Sequence, residues 1–147
     1  MNVLFLCTGN SCRSQMAEGW ARHLDMPDIC PHSAGTVAKG LDPRALKVMA
    51  EVGVDVSGQR SKSLDDLAGV SFDHVITLCG HALETCPVFP GATRVSHQSF
   101  DDPPMLAEGS ASEEEALEHY RRIRDEIMDF VKGIPQWLRE AEVPPAG

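Results

Sequence analysis

Short apolar runs and longer segments of helical spacing alternate along the chain. The apolar run over residues 2–6 ends at the polar residues 8–11, which predicts a buried strand followed by a tight loop. Three more short runs, at 29–34, 72–78 and 92–95, predict further strands. The chain therefore contains four candidate strands.

The segments between the strands repeat their apolar residues every three or four positions, as amphipathic helices do. The first predicted helix carries on one face Met16, Ala17, Trp20, Ala21 and Leu24. A second is predicted to start after Asp42, which can cap it, with Pro43 in its first turn, and to end at Gly53. A third starts at the acidic residues 113–115, and we expect Pro135 to end or kink it.

This alternation of strands and helices predicts the fold class. It favours an α/β fold of three layers, with a mostly parallel four-stranded sheet flanked by helices. Ligands of such sheets bind at the carboxyl ends of the strands, and Cys7 lies at the end of the first one. We therefore expect the functional site to include the loop after the first strand.

Length and charge narrow the class of protein. The 147 residues suit one domain over 1–147, with 141–147 as a frayed tail, and we expect a monomer. A formal net charge of −9 argues against nucleic acid and anionic lipid as partners. No apolar stretch reaches the ~18 residues of a membrane span, and the N-terminal apolar run is too short for a signal peptide. A cytoplasmic protein is the expectation.

Five cysteines are present, an odd number in a chain too large to need a disulfide framework. They are Cys7, Cys12, Cys30, Cys79 and Cys86. In a reducing compartment these would be free thiols, which directs attention to chemistry or metal binding. We expect Cys30 to be an inert strand thiol.

The loop that begins at Cys7 has the composition of an oxyanion site. Five residues separate Cys7 from Arg13, so the backbone N–H groups of the loop and the first turn of the helix can converge on one anion, with Gly9 relaxing the backbone. Arg13 would bind two oxygens of that anion and lower the pKa of Cys7, and Ser14 would donate a hydrogen bond to the thiolate. The predicted oxyanion-binding residues are Thr8, Gly9, Asn10, Ser11, Cys12, Arg13 and Ser14.

The loop has two other interpretations. In the simpler one, Cys7 is a buried thiol at a strand end and Arg13 is a solvated helix residue. A nucleotide-binding loop of the Walker type is disfavoured because the Gly-Lys-Ser/Thr ending is missing.

Residues 7–19 resemble the signature of the low-molecular-weight protein tyrosine phosphatase superfamily. Over its full length this segment is most similar to the arsenate reductases within that superfamily. In this chain they read Cys-Thr-Gly-Asn-Ser-Cys-Arg-Ser-Gln-Met-Ala-Glu-Gly. The resemblance continues through 33–35, 77–79, 86–87 and 100–103 and so covers nearly the whole chain. It implies a phosphatase-like fold with Cys7 as the nucleophile.

Cys79 and Cys86 distinguish the arsenate reductases from the tyrosine phosphatases of this superfamily. A helix between them would place the Cα atoms about 10 Å apart, whereas a disulfide needs roughly 4.4–6.8 Å, so bonding would require the segment to unwind. A metal site with His81 and His97 and a pair of structural thiols are the alternatives. The arsenate reductases carry two further cysteines at these places, which the resemblance therefore identifies as a redox pair.

The Asp101-Asp102-Pro103 sequence would be a solvated turn in most proteins. In the superfamily the aspartate before this proline is the general acid, and the matching residue is Asp102. The phosphatases follow it with an aromatic residue that grips a phenolic substrate, whereas Pro104 and Met105 follow here. This departure counts against an aryl phosphatase.

The resemblance implies reduction of arsenate to arsenite, as in arsenic detoxification. Cys7 attacks arsenic, Asp102 protonates the departing oxygen, Cys79 then attacks Cys7, and Cys86 moves the disulfide to Cys79–Cys86. Thioredoxin is the implied reductant, and phosphate or sulfate are competing oxyanions. The alternatives are a phosphomonoester hydrolase that uses only Cys7, Arg13 and Asp102, and an oxyanion-binding or redox-sensing module without turnover.

Some family members bind a potassium ion through residues that match Asn10, Glu18 and Ser33, with further ligands after the second helix. This chain has Arg60 and Lys62 in that later segment. We therefore expect no potassium requirement, and we expect Lys62 to place its ammonium where the ion would lie. No other metal or bound cofactor is expected.

Overall fold

A computed structural model describes residues 1–84, 86 and 93–142 of the chain. The strands are β1 (Asn2–Cys7), β2 (Cys30–Gly35), β3 (His74–Thr77) and β4 (Arg94–His97). The helices are α1 (Arg13–His23), α2 (Pro43–Glu51), α3 (Gly80–Glu84), α4 (Pro103–Glu108) and α5 (Glu113–Glu142), with a short 3₁₀ helix over Leu64–Leu67.

The four strands form one sheet in the order β2-β1-β3-β4, and every neighbouring pair is parallel. This confirms the predicted fold class. The pairing register places Cys7 opposite Gly35 on β2, while Leu6 lies opposite Thr77 on β3. The carboxyl ends of β1, β2 and β3 therefore meet at one edge of the sheet, where Cys7 lies.

Side chains alternate across β1 and so build two cores. Val3 and Phe5 pack with α1 and α5 on one face of the sheet. Leu4 and Leu6 pack on the other face with residues of the 3₁₀ helix and α3. These layers are the predicted three, and they bury β1 on both sides, as expected of a central strand in a parallel sheet.

The start of α2 follows the predicted capping pattern. Asp42 accepts a hydrogen bond from the backbone N–H of Arg44 (2.9 Å), and Pro43 is the first helical residue. The buried hydroxyl of Tyr120 donates to the other carboxylate oxygen of Asp42 (2.6 Å). This contact ties α2 to α5 directly below the loop that precedes α1.

The last helix does not end at Pro135, contrary to one of the two outcomes expected there. Helix α5 continues through Pro135 to Glu142, so residues 141 and 142 are helical rather than frayed. Pro135 removes one backbone hydrogen bond, but beyond it Leu138 is buried and Trp137 packs against His74. This packing stabilises the continuation. The rest of the predicted tail, 143–147, lies outside the described residues.

Other boundaries also differ from prediction. Strand β4 covers Arg94–His97 rather than 92–95, of which 92 lies outside the described residues. Helices α3 and α4 and the 3₁₀ helix were not predicted, because four to six residues are too few for a clear apolar period. Within the described residues no helix is long and apolar enough to cross a membrane.

Candidate active site

The loop between β1 and α1 is fixed by the segment that follows β2. The carbonyls of Thr8, Gly9 and Ser11 accept hydrogen bonds from backbone N–H groups of that segment (3.2, 2.9 and 3.0 Å). The donors are Val37, Lys39 and Asp42, respectively. Because these carbonyls are bound on the outer side, the loop is free to present N–H groups to the opposite side.

Asn10 holds the loop from behind. Its backbone is left-handed (φ 48°), a conformation that asparagine tolerates better than most residues. Its buried side chain donates to the Ser14 hydroxyl (2.9 Å) and accepts from Gln15 (2.8 Å) and from the backbone N–H of Lys62 (2.7 Å). The backbone freedom expected of Gly9 is thus used at Asn10. Ser14 bonds Asn10 rather than Cys7.

Gly9 has a different role. A Cβ at this position would lie 2.9 Å from the Lys39 Cδ, so the missing side chain lets Lys39 pass over the loop.

Donors remain open at the loop and at the start of α1. In the described part of the chain, the backbone N–H groups of residues 9–12 make no hydrogen bond to another protein group. Cys12 is the N-cap of α1, and its side chain makes no capping hydrogen bond. Unpaired N–H groups at a helix N-terminus favour an anion. The loop therefore has the predicted character of an oxyanion site.

Arg13 is buried, with only 8% of its surface exposed, which argues against the solvated interpretation. One terminal nitrogen donates to the Phe100 carbonyl (2.9 Å), and the other lies 3.6 Å from an Asp102 carboxylate oxygen. Within the described residues, its buried Nε has no hydrogen-bond partner. A buried guanidinium nitrogen without a partner is costly, and an oxyanion in the loop would satisfy it.

Asp102 is the N-cap residue of α4. Its side chain is 34% exposed, so the carboxylate is neither buried nor fully solvated. The contact with Arg13 places it at the same pocket as Cys7. A carboxyl group here is positioned to exchange a proton with a group bound in the loop.

Cys7 and Cys79 lie against each other. The Cys7 thiol donates to the Cys79 sulfur at an Sγ–Sγ distance of 4.0 Å. Cys79 also accepts from the backbone N–H of Ala82 (3.4 Å) and lies 3.4 Å from the Thr8 hydroxyl. Two thiols that are separated by 72 positions in sequence thus share one buried corner, where β1 and β3 end.

Arg13 and the backbone N–H of Thr8 act to lower the pKa of Cys7, as predicted, but two larger effects oppose them. The hydrogen bond to Cys79, together with burial, raises the pKa of Cys7 well above its ordinary value despite the nearby Arg13. The same hydrogen bond, with smaller contributions from Thr8, Ala82 and Arg13, lowers the pKa of Cys79 to about 4. The two thiols are therefore coupled, and the protonation state of one affects that of the other.

Cys86 lies across the short helix α3 from Cys79. Its side chain is partly buried and packs against the cluster that contains Cys7 and Cys79. Burial raises the pKa of the Cys86 thiol. Because the helical residues Gly80–Glu84 stand between Cys79 and Cys86, the predicted need for the segment to unwind before a disulfide forms stays a prediction.

A pocket of about 270 Å³ opens over the loop. Its lining residues are Cys7, Thr8, Gly9, Ser11, Cys12, Arg13, Lys39, Asp102 and Pro104. Among the described residues no aromatic side chain lines it, and Met105 beyond it is 67% exposed. Five of the predicted oxyanion-binding residues line the pocket, whereas Asn10 and Ser14 lie behind the loop.

Lys39 is the pocket residue that sequence reasoning missed. It is exposed, and in the sequence it looks like any surface lysine. Its side chain lies over Gly9 and in the pocket because the backbone of its segment is hydrogen-bonded to the carbonyls of the loop. The local signal that was available is Gly40, the next residue, whose backbone has a positive φ (88°).

A second charged cluster lies beside the loop. Glu18 is buried on α1, accepts from the Ser33 hydroxyl (2.6 Å) and has a carboxylate oxygen 3.6 Å from the Lys62 ammonium. Lys62 also donates to the Arg60 carbonyl (2.7 Å), and its side chain is only 12% exposed. The ammonium thus lies against the carboxylate that was expected to face a cation.

The remaining candidates are dispersed. Cys12 is buried in the loop, where burial raises its pKa, and Cys30 is exposed at the start of β2. His97 pairs with the Thr77 hydroxyl (2.7 Å). Over residues 1–84, 86 and 93–142, no three His, Cys, Asp or Glu side chains are grouped to hold a metal ion.

Comparison with known proteins places this site in a family. The model of the low molecular weight phosphotyrosine protein phosphatases matches residues 2–142. A curated arsenate reductase of Bacillus subtilis (strain 168) is 46% identical over 130 residues, which is 88% of this chain and 91% of that protein.

Two solved structures of arsenate reductases are also similar to this chain. An arsenate reductase in a phosphate-binding state has a TM-score of 0.71 and 31% identity, over 90% of this chain and 95% of that one. A thioredoxin-dependent arsenate reductase of Corynebacterium glutamicum has a TM-score of 0.69 and 26% identity, over 96% of this chain and 63% of that one.

Proposed function

The chain belongs to the low molecular weight phosphotyrosine protein phosphatase family, and within it we propose that this protein is an enzyme that reduces arsenate to arsenite. The observation that carries the proposal is the second thiol, Cys79, 4.0 Å from Cys7 in a pocket with oxyanion character. Hydrolysis of a phosphoester needs one nucleophilic sulfur. A two-electron reduction needs a second sulfur that can reach the first.

In the first step Cys7 forms a bond to arsenic while an As–OH bond breaks. The loop N–H groups and Arg13 stabilise the negative charge that develops on the arsenate oxygens. Asp102, close to Arg13, protonates the departing hydroxyl, which leaves as water. The product is a thiol adduct in which arsenic is still As(V).

In the second step Cys79 attacks the Cys7 sulfur. An S–S bond forms, the S–As bond breaks, and its electron pair stays on arsenic, which leaves as arsenite, As(III). Cys86 then attacks Cys79 and moves the disulfide to the Cys79–Cys86 pair, which requires the α3 segment to unwind. Two cysteine sulfurs have then been oxidised by one electron each, which balances the reduction of arsenic.

Thioredoxin is the proposed reductant of the final disulfide. Its potential of about −270 mV suits an exposed disulfide in a strained segment. The thioredoxin-dependent Corynebacterium relative supports this choice. Such a cycle belongs in a reducing compartment, and we propose the cytoplasm.

Lys39 supplies the pocket with a second cation. Arsenate, like phosphate, is largely a dianion near neutral pH. Arg13 alone carries one positive charge, so the ammonium of Lys39 balances the second. Phosphate and sulfate have the same shape and are expected to compete.

We further propose that the chain needs no potassium. The Lys62 ammonium, in contact with the Glu18 carboxylate, is a tethered cation at the place where a free ion would bind. A lysine in this position cannot dissociate, so the loop has its supporting charge at any salt composition.

A phosphomonoester hydrolase is the second candidate. The family name and the Cys7, Arg13 and Asp102 arrangement favour it. The pocket mouth argues against an aryl substrate, because Pro104 and the exposed Met105 stand where an aromatic grip would be needed. We expect weak hydrolysis of small phosphoesters beside the reductase activity.

Steady-state assays on two substrates test the proposal. Wild-type protein with thioredoxin, thioredoxin reductase and NADPH is expected to form arsenite. The Cys79→Ser and Cys86→Ser variants are expected to lose this activity by more than ~100-fold and to keep the hydrolysis of p-nitrophenyl phosphate. Cys30→Ser, at an exposed thiol outside the pocket, is the matched control and should keep both activities. Arsenite formation that survives in Cys79→Ser would contradict the relay.

A further inference from the structure

We propose that two glutamines outside the pocket, Gln15 and Gln59, are positioning residues of the oxyanion loop. They act through Asn10, because they fix which end of its side chain faces each neighbour and hold its left-handed backbone. The proposal rests on the function above only in taking an oxyanion as the ligand of the loop. Neither glutamine lines the pocket, so the effect of the pair on the oxyanion is indirect.

Gln15 connects three parts of the site. It lies in the first turn of α1 and is only 1% exposed. Its side-chain nitrogen donates to the side-chain oxygen of Asn10 (2.8 Å) and to the backbone carbonyl of the same residue (3.1 Å). It also donates to the Arg60 carbonyl (2.8 Å), in the segment that follows α2. One buried amide therefore holds both the backbone and the side chain of Asn10.

Gln59 binds the other end of the Gln15 amide. Its side-chain nitrogen donates to the Gln15 side-chain oxygen (2.7 Å) and to the Gln15 backbone carbonyl (3.1 Å). The close approach of its segment depends on Gly19 of α1, because a Cβ there would lie 2.5 Å from a methyl carbon of Val56. With Gln59 in place, the buried oxygen of Gln15 has the hydrogen-bond donor that a buried polar atom requires.

The hydrogen bonds of this amide chain can run in one direction only. A backbone carbonyl accepts and a backbone N–H donates, whereas a side-chain amide can present either end. The Arg60 carbonyl therefore requires the nitrogen of Gln15, and the Lys62 N–H requires the oxygen of Asn10 (2.7 Å). The Gln15 oxygen is then left without a donor unless Gln59 supplies one. Gln59 is thus the outer end of a directed chain that ends at the loop.

This direction matters at Asn10 because its backbone is left-handed (φ 48°). Outside glycine such a conformation costs free energy and persists only where the surroundings hold it. The backbone angles at position 10 set the directions of the loop N–H groups, which must point at an oxyanion before it binds. A Gln15 amide that turned round would place its oxygen against two acceptors of Asn10 and release this conformation. The affinity of the loop for an oxyanion is therefore the quantity that the pair controls.

The outer end of the amide chain is accessible, whereas Gln15 is buried. Gln59 is partly buried and lines a cavity of about 720 Å³ beside the loop, together with Glu18 and Lys62. Its side chain contributes no atom to the pocket over the loop. A variant at position 59 therefore tests whether the amide chain transmits a change to the loop.

Binding of inorganic phosphate to the reduced protein, followed by isothermal titration calorimetry, tests the proposal. Gln15→Met keeps the side-chain volume and removes its hydrogen bonds, so the dissociation constant is expected to rise about tenfold. Gln59→Glu presents acceptors to the Gln15 oxygen and carbonyl instead of a donor, and a rise of about fivefold is expected. Gln136→Met, at an exposed position of α5, is the matched control and should change the constant less than about twofold.

A double variant separates transmission through Gln15 from the effect of the added negative charge. In the Gln15→Met background the amide chain is already broken, so Gln59→Glu is expected to raise the dissociation constant by less than about twofold. An equal effect of Gln59→Glu in both backgrounds would show that its charge acts on the oxyanion directly and would overturn the proposal.

Unfolding in urea separates positioning from stability. If Gln15→Met is less stable but binds phosphate within about twofold of wild type, the pair is merely structural and the proposal is wrong. If Gln15→Met does not fold, Gln59→Met decides, because it removes the donor without adding charge. A dissociation constant raised about threefold is expected for it, and an unchanged constant refutes the proposal. Wild-type protein that binds no phosphate would contradict the oxyanion site and this proposal with it, whereas the reductase assays test the thiol relay separately.

Discussion

Two turns of this protein connect a strand to a helix in the same way but differ in the contacts that hold them in place. In each, a cysteine follows a parallel strand and precedes a helix. Cys7 is the last residue of β1 and precedes α1 across a five-residue loop, whereas Cys79 lies two residues beyond β3 and directly precedes α3. The first loop has three carbonyls bound to the neighbouring segment and a buried Asn10 behind it. Helix α3 has five residues and begins at an exposed glycine.

This difference between the two turns matches two different requirements of the proposed chemistry. A site that stabilises charge must hold its donors in place before the reaction, and the Cys7 loop is built in that way. A cysteine that must exchange partners has to move, and a single helical turn is only marginally stable without packing. In the proposed function the rigid turn binds the oxyanion, and the short helix lies between the second and third sulfurs.

The largest expected effect concerns the rigid turn. Arg13→Lys keeps the charge but removes the fork with its unpartnered Nε, so kcat/KM for arsenate is expected to fall about 10²–10³-fold, as for the loss of an oxyanion donor. Arg44→Lys is the control, because Arg44 pairs with Glu113 at the surface, and a change below twofold is expected. Equal rates for wild type and Arg13→Lys would show that the loop does not work through Arg13.

One substitution at two glycines contrasts the turns directly. A Cβ at Gly35 would lie 2.5 Å from the Val37 carbonyl and 2.6 Å from that of Thr8, so Gly35→Ala must shift backbone that straps the loop. A Cβ at Gly80 meets nothing within 4 Å. Gly35→Ala is expected to lower the free energy of unfolding by roughly 1–3 kcal/mol. Gly80→Ala should raise the stability of α3 by up to about 1 kcal/mol.

Urea unfolding measures the loss of stability in Gly35→Ala. The rate of disulfide transfer to Cys86 measures the stabilisation of α3 in Gly80→Ala. A helix stabilised by about 1 kcal/mol before it unwinds predicts transfer up to about fivefold slower in Gly80→Ala. Two variants that lose the same stability, or faster transfer in Gly80→Ala, would contradict the contrast between the turns.

A smaller effect is expected at the pocket rim. Lys39→Gln removes the second cation, so KM for arsenate and the inhibition constant for sulfate should rise about five- to tenfold at low salt, with kcat changed less than twofold. Lys47→Gln removes a charge from an exposed position of α2 and should leave both constants unchanged. A fall in kcat without a change in KM would assign Lys39 to the chemical step instead of binding.

The smallest effect is the absence of a potassium response. Exchange of sodium for potassium at constant ionic strength should change the wild-type rate less than twofold, because the Lys62 ammonium already faces Glu18. In Lys62→Thr the same exchange is expected to increase the rate. A several-fold stimulation of the wild type would contradict the tethered-cation role.

Sequence reasoning found what local patterns determine. The apolar runs predicted the parallel sheet, and the spacing from Cys7 to Arg13 predicted a strand, loop and helix around an anion. The capped start of α2 at Asp42 follows from two adjacent residue types. In each case the signal lies within a few residues of the feature.

Features made by distant segments were not predictable in this way. The contact of Cys7 with Cys79 depends on the register of β1 against β3, and it opposes the expected lowering of the pKa of Cys7. Lys39 reaches the pocket through the strap that follows β2. The passage of α5 through Pro135 depends on the burial of Leu138, which propensity alone does not reveal.

The central claim is that three cysteines pass one disulfide from the pocket to α3. It is tested most directly by a single turnover: fully reduced protein is mixed with arsenate without reductant, free thiols are blocked, and disulfides are mapped by peptide mass spectrometry. The account predicts loss of two thiols, a Cys79–Cys86 disulfide and one arsenite per chain, with Cys86→Ser stopping at Cys7–Cys79. Survival of all five thiols with no arsenite formed would contradict it.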